Sequence, residues 1–305
     1  MPVRPSGEQF EIAHRDQRAT IVEVGGGVRE YVAGRRAVLD PYPREAMCDG
    51  AHGAPLIPWP NRLADGRYAF DGTEYQLALT EPERGNAIHG LLRWRNWQAI
   101  ERSADWVTVA TRLHPLKGWP FTLDVHITYS LGEAGLAVTT RATNIGDRAC
   151  PLGAGQHPYL SAGDGFVDEC MLRLRAATRI LTDQERQLPI GAERVAGTAF
   201  DFGVERRIGD LRIDDAFTDL DRDEDGRARL TLTRPDGTTV ELWADRSYGV
   251  IQLYTGDALA LDRRRRAVAA EAMTCPPNAL QSGDRLIRLE PGDSHVSRWG
   301  VRLLA

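Results

Sequence analysis

Apolar and polar residues alternate one for one along much of the chain. In FTLDVHITYSL, residues 121–131, Phe121, Leu123, Val125, Ile127, Tyr129 and Leu131 alternate with Thr122, Asp124, His126, Thr128 and Ser130. A period of two predicts an extended strand with the first set on one face and His126 on the other. GLAVTTRATN, residues 135–144, follows a glycine-marked turn and repeats the pattern. GRYAFDGTEYQL and ARLTLTRPDGTTVELWA predict hairpins that turn at Asp71-Gly72 and at Pro235-Asp236-Gly237, where the residue pairs tolerate positive φ. WQAIERSADWVTVATRL predicts a further pair of strands.

Convincing amphipathic helices are scarce, no Gly/Ser- or Pro-rich linker divides the chain, and no fixed-period repeat occurs. The expectation is all-β: one large antiparallel β-sandwich domain over residues 1–305, with long connections. A sheet of this kind has a polar as well as an apolar face, and a concave polar face ringed by loops can hold a ligand. VGGGVREYVAG lacks both G-x-G-x-x-G spacing and a following helix, so Gly25–Gly27 mark a strand bend or turn and not a dinucleotide site.

Composition narrows the partners. The 305 residues are 42% hydrophobic and 27% charged, an ordinary globular balance, and the net charge of −5 argues against nucleic acid or an anionic membrane. The run Arg263–Arg266 is expected to be a solvated loop. Charges occupy the first 17 residues where a secretory signal needs an apolar core, and nowhere do 18 apolar residues run together. Cys48, Cys150, Cys170 and Cys275 lie far apart without CxxC spacing. Reduced thiols in a cytoplasmic protein fit this best, as a monomer or homodimer.

Five polar clusters stand out from the strand-forming residues. In PWPNRLADGRYAFDG, Arg62 follows Asn61 among Trp59, Pro60 and Leu63, a setting that suggests partial burial and a need for acceptors such as sugar hydroxyls. In NAIHGLLRWRNW, Gly90 permits a turn that could aim His89 into a pocket, and Trp94 and Trp97 are either core or a flat surface for a ring of C–H groups. GAGQHPYL supplies His157 and Tyr159. In LRIDDAFTDL, Asp214 and Asp215 point to opposite faces if extended. In AVAAEAMTCPPNAL, apolar neighbours leave Glu271 poorly solvated, which raises its pKa and improves it as a base. Cys275, in the same stretch, has no nucleophile signature around it.

In this order the clusters resemble the aldose 1-epimerase (galactose mutarotase) family. NRLADGRYAFDG (61–72) resembles its Asn-Arg, Gly-x-Tyr-x-Phe-x-Gly pattern, IHG (88–90) its His-Gly element, and HPY (157–159) its His-x-Tyr element. DDAF (214–217) is similar to its Asp-His-x-Phe segment, AEAM (270–273) to its Glu-Thr-Gln segment, and RLEPGDSHVSRWGV to its closing turn and strand. The resemblance implies a supersandwich with an open sugar cleft, with Glu271 as base and His157 as acid. It implies Arg62, His89 and Asp214 as substrate-binding groups, with Asn61 and Tyr159 beside them, and neither metal nor other cofactor. Three positions depart from the pattern: Asp215 replaces the histidine, EAM replaces ETQ, and Leu91 replaces a second glycine.

The activity implied is interconversion of α and β anomers of a free aldohexose such as glucose or galactose. Two rivals use the same fold: a non-catalytic carbohydrate-binding protein, and a mutarotase for hexose phosphates with Arg93, Arg95 or the 263–266 run as its cations. A third rival is a metal enzyme on His52, His89 and His157, although these histidines lack the short spacing of a metal motif.

Overall fold

The computed structural model describes residues 3–304. The predicted alternation is realised in the strand Leu123–Gly132, where Leu123, Val125, Ile127, Tyr129 and Leu131 are all buried. His126 takes the opposite face, its Nε2 2.9 Å from Asp124. Both hairpins form. Arg67–Phe70 pairs with Thr73–Gln76 across Asp71 and Gly72, which both have positive φ, and Ala228–Thr233 pairs with Thr239–Ala244. Gln98–Arg102 and Trp106–Leu113 are the expected antiparallel pair. Gly25 and Gly26 turn the chain between Gln17–Val22 and Val28–Ala33, with Gly26 lying where a Cβ would meet the Trp97 ring at 2.5 Å.

The strands assemble into two large antiparallel sheets of twelve and nine strands, and apolar residues from both form one continuous core. The nine-stranded sheet carries Leu123–Gly132, Gly135–Asn144 and Ser294–Leu304 at its centre. The twelve-stranded sheet positions the site. Across its middle, Tyr159–Ser161, Ala267–Met273, Val250–Tyr254 and Asp214–Leu220 are hydrogen-bonded in that order. Among the described residues the only α-helix is Ala279–Ser282, so the scarcity of helical periodicity was a faithful signal.

The arginine run is not a solvated loop. Arg263 meets Asp40 at 2.6 Å and the Pro41 carbonyl at 2.8 Å. Arg265 meets Asp168 at 2.6 Å and Asp257 at 2.9 Å. Only Arg264 is exposed. The run looks isolated in sequence because its acceptors arrive from segments up to more than 200 residues away.

Candidate active site

The four central strands share one register. Tyr159 lies opposite Ala269, Glu271 opposite Gln252, and Tyr254 opposite Asp214. Side chains on a strand alternate faces, so Tyr159, Glu271, Gln252 and Asp214 share one face. Ala270, Ala272, Leu253, Phe217 and Leu160 lie on the other, in the core. The short side chains of AVAAEAM keep Glu271 from being crowded by its own strand. This polar face floors a cavity of about 980 Å³, also lined by Asn61, Arg62, His89, Arg93 and His157.

At its base Nε2 of His157 stands 3.2 Å from a carboxylate oxygen of Glu271, both side chains being almost wholly buried. Burial dominates both groups. It pushes His157 down to about 3 and raises Glu271 well above the usual carboxylate range, with Asp214 adding to the rise. Burial disfavours the charged form of each group, so a neutral imidazole beside a protonated carboxyl is the favoured arrangement. It holds the same single proton as the ion pair would, displaced along the 3.2 Å contact. The second oxygen of Glu271 and Nδ1 of His157 have no protein partner.

His157 is held by stacking. Its ring lies 5.0 Å from that of Tyr159, which stacks nearly parallel on the ring of His52 at 3.7 Å. The Tyr159 hydroxyl donates to the Gly50 carbonyl at 2.9 Å. Tyr159, expected among the substrate-binding groups, lines the cavity and also positions His157. His52 is held by the Asp49 carbonyl at 2.9 Å and by Asp40 at 3.1 Å.

His89 and Asn61 face one another where the short strands Arg62–Ala64 and Asn86–Ile88 pair. The His89 N–H donates to the Asn61 carbonyl at 2.9 Å, and the Asn61 N–H donates to Nδ1 of His89 at 3.2 Å. With Nδ1 accepting, the proton of a neutral imidazole sits on Nε2 as a donor. Burial, then the charges of His157, Arg93 and Arg62, hold His89 well below its ordinary pKa. Both residues adopt left-handed φ, 54° and 61°, a conformation that the reciprocal hydrogen bonds sustain. Gly90 continues the turn at φ 71°, and a Cβ there would lie 2.1 Å from the Ile57 carbonyl oxygen.

Arg62 is half-buried, as its apolar neighbours suggested, but its fork is taken up by Glu81 through Nε at 2.9 Å and Nη2 at 3.0 Å. Nη1 remains for a ligand. Gln252 donates to Asp214 at 2.8 Å, and burial raises the Asp214 pKa against the opposing charge of Arg62. Asp215 turns to the other side of its strand and accepts from Arg179 at 3.1 Å. The structure thus assigns Asp214, not Asp215, to the face that carries Glu271.

Trp97 is core and Trp94 lies outside the cavity, so neither offers a stacking surface to it. Cys275 is buried outside the cavity, and burial pushes its thiol up to about 12. Of the three histidines weighed as metal ligands, His52 is occupied elsewhere. Ligand atoms of His89, His157 and Glu271 instead lie within 4.8 Å of one another, a His2Glu set that zinc accepts. Glu81 and Gln252 carry no motif. Gln252 is visible only through its register with Glu271.

Residues 8–302 match the family described as aldose 1-epimerase, and the chain belongs to that family. It is 37% identical over 292 residues, 95% of this chain and 91% of the other, to the uncharacterized protein YihR of Escherichia coli (strain K12). With the aldose 1-epimerase of the same organism it shares 30% identity over 158 residues, 49% of this chain and 44% of that protein. The galactose mutarotase of Rattus norvegicus matches at 33% over 158 residues, 49% of this chain and 44% of that protein. Among solved structures, a GalM/aldose epimerase homologue from C. elegans superposes with a TM-score of 0.86 at 20% identity, covering 97% of this chain and 98% of that one. A galactose mutarotase-like protein from Clostridium acetobutylicum gives 0.84 at 18% identity, covering 97% and 95%. These structural likenesses establish a galactose mutarotase-like fold.

Proposed function

We propose that the protein is an aldose 1-epimerase that interconverts the α and β anomers of a free aldohexose such as glucose or galactose. The 3.2 Å contact between His157 and Glu271 on the cavity floor carries the proposal. Anomer exchange requires one proton to leave the C1 hydroxyl while another reaches the ring oxygen. Both oxygens are bonded to C1, so the two transferring groups must both reach one small region of the ring. Glu271 and His157 meet that condition and hold one proton between them.

An arriving sugar brings hydroxyls into a site whose buried oxygen and nitrogen lack protein partners. Glu271 as carboxylate takes the proton from O1, and His157 as imidazolium gives one to O5. The C1–O5 bond opens to the aldehyde, C1–C2 rotates, and the reverse transfers close the ring on the other carbonyl face. The pair ends with the proton count it began with. Nε2–H of His89 and Nη1 of Arg62 donate to ring substituents in this reading, while Asp214 accepts from hydroxyls. Each proton-transfer group contributes roughly 10²–10⁴-fold, and orientation adds to that.

Polarimetry on freshly dissolved α-D-glucose and α-D-galactose tests this. The protein accelerates the decay of optical rotation, and Glu271→Gln and His157→Asn each slow it by roughly 10²-fold or more while remaining folded. A decay at the buffer rate across a broad panel of aldoses overturns the proposal. Saturable sugar binding without acceleration would instead indicate a non-catalytic sugar-binding protein.

A further inference from the structure

Five arginines line the cavity: Arg62, Arg84, Arg93, Arg179 and Arg212. Four have carboxylates within 4.0 Å: Glu81 for Arg62 and Arg84, Glu193 and Asp215 for Arg179, and Asp257 for Arg212. Among the described residues Arg93 has none. Its guanidinium rests on the Trp94 ring, 4.0 Å from the centroid, which orients the plane and leaves its N–H donors free. Nearby acidic groups are otherwise accounted for. Glu81 is gripped by Arg62, Asp49 lies 3.7 Å from His52, and the Cys48 thiol is pushed up to about 12 by burial.

The position of Arg93 relative to the proton-transfer pair matters more than its charge alone. Arg93 lines the cavity together with His157 and His89, and its charge bears on both histidines, which puts it toward the histidine end of the pair. In a pyranose that offers O5 to His157, C5 is bonded to O5 and carries C6 outward on that same side. A half-buried, oriented guanidinium without an internal anion suits two oxygens of a tetrahedral oxyanion, which it meets bidentately. Neutral hydroxyls need no such charge. None of Arg95 and Arg263–Arg266 lines this cavity: Arg95 lines a different depression, Arg263 and Arg265 are held by aspartates, Arg264 is exposed, and Arg266 donates to the Asp164 carbonyl.

We infer that the preferred hexose carries a tetrahedral oxyanion (phosphate, sulfate or sulfonate) on C6 and that Arg93 binds it. This rests on the epimerase reading above. The test compares kcat/KM, from NMR exchange between anomers, for glucose, glucose 6-phosphate, glucose 6-sulfate, glucose with a C6 sulfonate, and glucuronate. The protein is used as such and as Arg93→Gln and Arg93→Lys. One or more of the tetrahedral anions should exceed glucose by about 10- to 100-fold, the range for a charge-assisted hydrogen bond, and the anion arms identify which. Arg93→Gln should collapse that ratio, Arg93→Lys should restore part of it, and glucuronate should fall below the tetrahedral anions. A ratio near one, or a high ratio that Arg93→Gln leaves unchanged, overturns the inference while glucose turnover leaves the epimerase reading standing. Failure on every sugar, neutral or anionic, sinks the epimerase reading itself.

Discussion

Replacing His157 with Gln isolates the protonation state of the buried pair. Burial holds the His157 pKa at about 3 against an ordinary 6.5. For a base held down in this way, the unfolded chain binds the extra proton, so stability falls as pH falls below 6.5 and levels off near 3. Between pH 7 and pH 5 this one group lowers the stability of the unsubstituted protein by about 2 kcal/mol, from 1.36 kcal/mol per pKa unit across the interval below 6.5. Gln does not titrate, contributions from remote ionisable groups are common to both proteins, and Glu271, held above the usual carboxylate range by burial, faces an uncharged neighbour in either. Whatever the stability gap at pH 7, it should move by about 2 kcal/mol in favour of His157→Gln at pH 5. Urea unfolding at the two pH values measures it. An unchanged gap would mean that His157 titrates as freely as in the unfolded chain. A gap moving the other way would mean that the histidine is an imidazolium stabilised by a Glu271 carboxylate, and the neutral pair would be refuted.

The same depression shifts the acid limb of the kcat/KM profile far below the ordinary histidine value of 6.5, toward 3, because the free enzyme gains its second proton late; a limb centred near 6.5 contradicts this. Gly90→Ala should destabilise the protein by roughly 2–4 kcal/mol in urea titrations, since the added methyl group meets the Ile57 carbonyl in a backbone conformation that L-residues avoid. Zinc should inhibit competitively with sugar and reversibly on EDTA addition by bridging His89, His157 and Glu271, and chelation alone should leave mutarotation intact. Noncompetitive inhibition would place the ion elsewhere.

The sheets were legible because period-two patterning survives wherever one face is buried, as in Leu123–Gly132. The site was legible as a set of motifs, and the structure brings Arg62, His89, His157, Asp214 and Glu271 to one cavity. What escaped was everything that depends on pairing between remote segments. The role of Tyr159 follows from the ring of His52 across its face and from Gly50 at its hydroxyl. Arg62 reads as a free donor until Glu81 is placed beside it, and Arg263 as solvated until Asp40 is. The upward shift of Glu271 was anticipated from its apolar neighbours. The downward shift of His157 was not, because burial of its ring depends on strands more than a hundred residues away.

The strand Ala267–Met273 has alanines on both faces, and little in their size tells its neighbours which way up it belongs. A slip of one residue against Val250–Tyr254 would exchange Val268, Ala270 and Ala272 for Ala269, Glu271 and Met273 on the core side, driving a carboxyl group among Leu253 and Phe217. That misfit, absent from every correctly aligned molecule, penalises the wrong alignment. The side chain proposed as the base thus also proofreads the assembly of the sheet, so Glu271→Ala should yield chains that refold with more misaligned species than Glu271→Gln, quite apart from either variant's turnover.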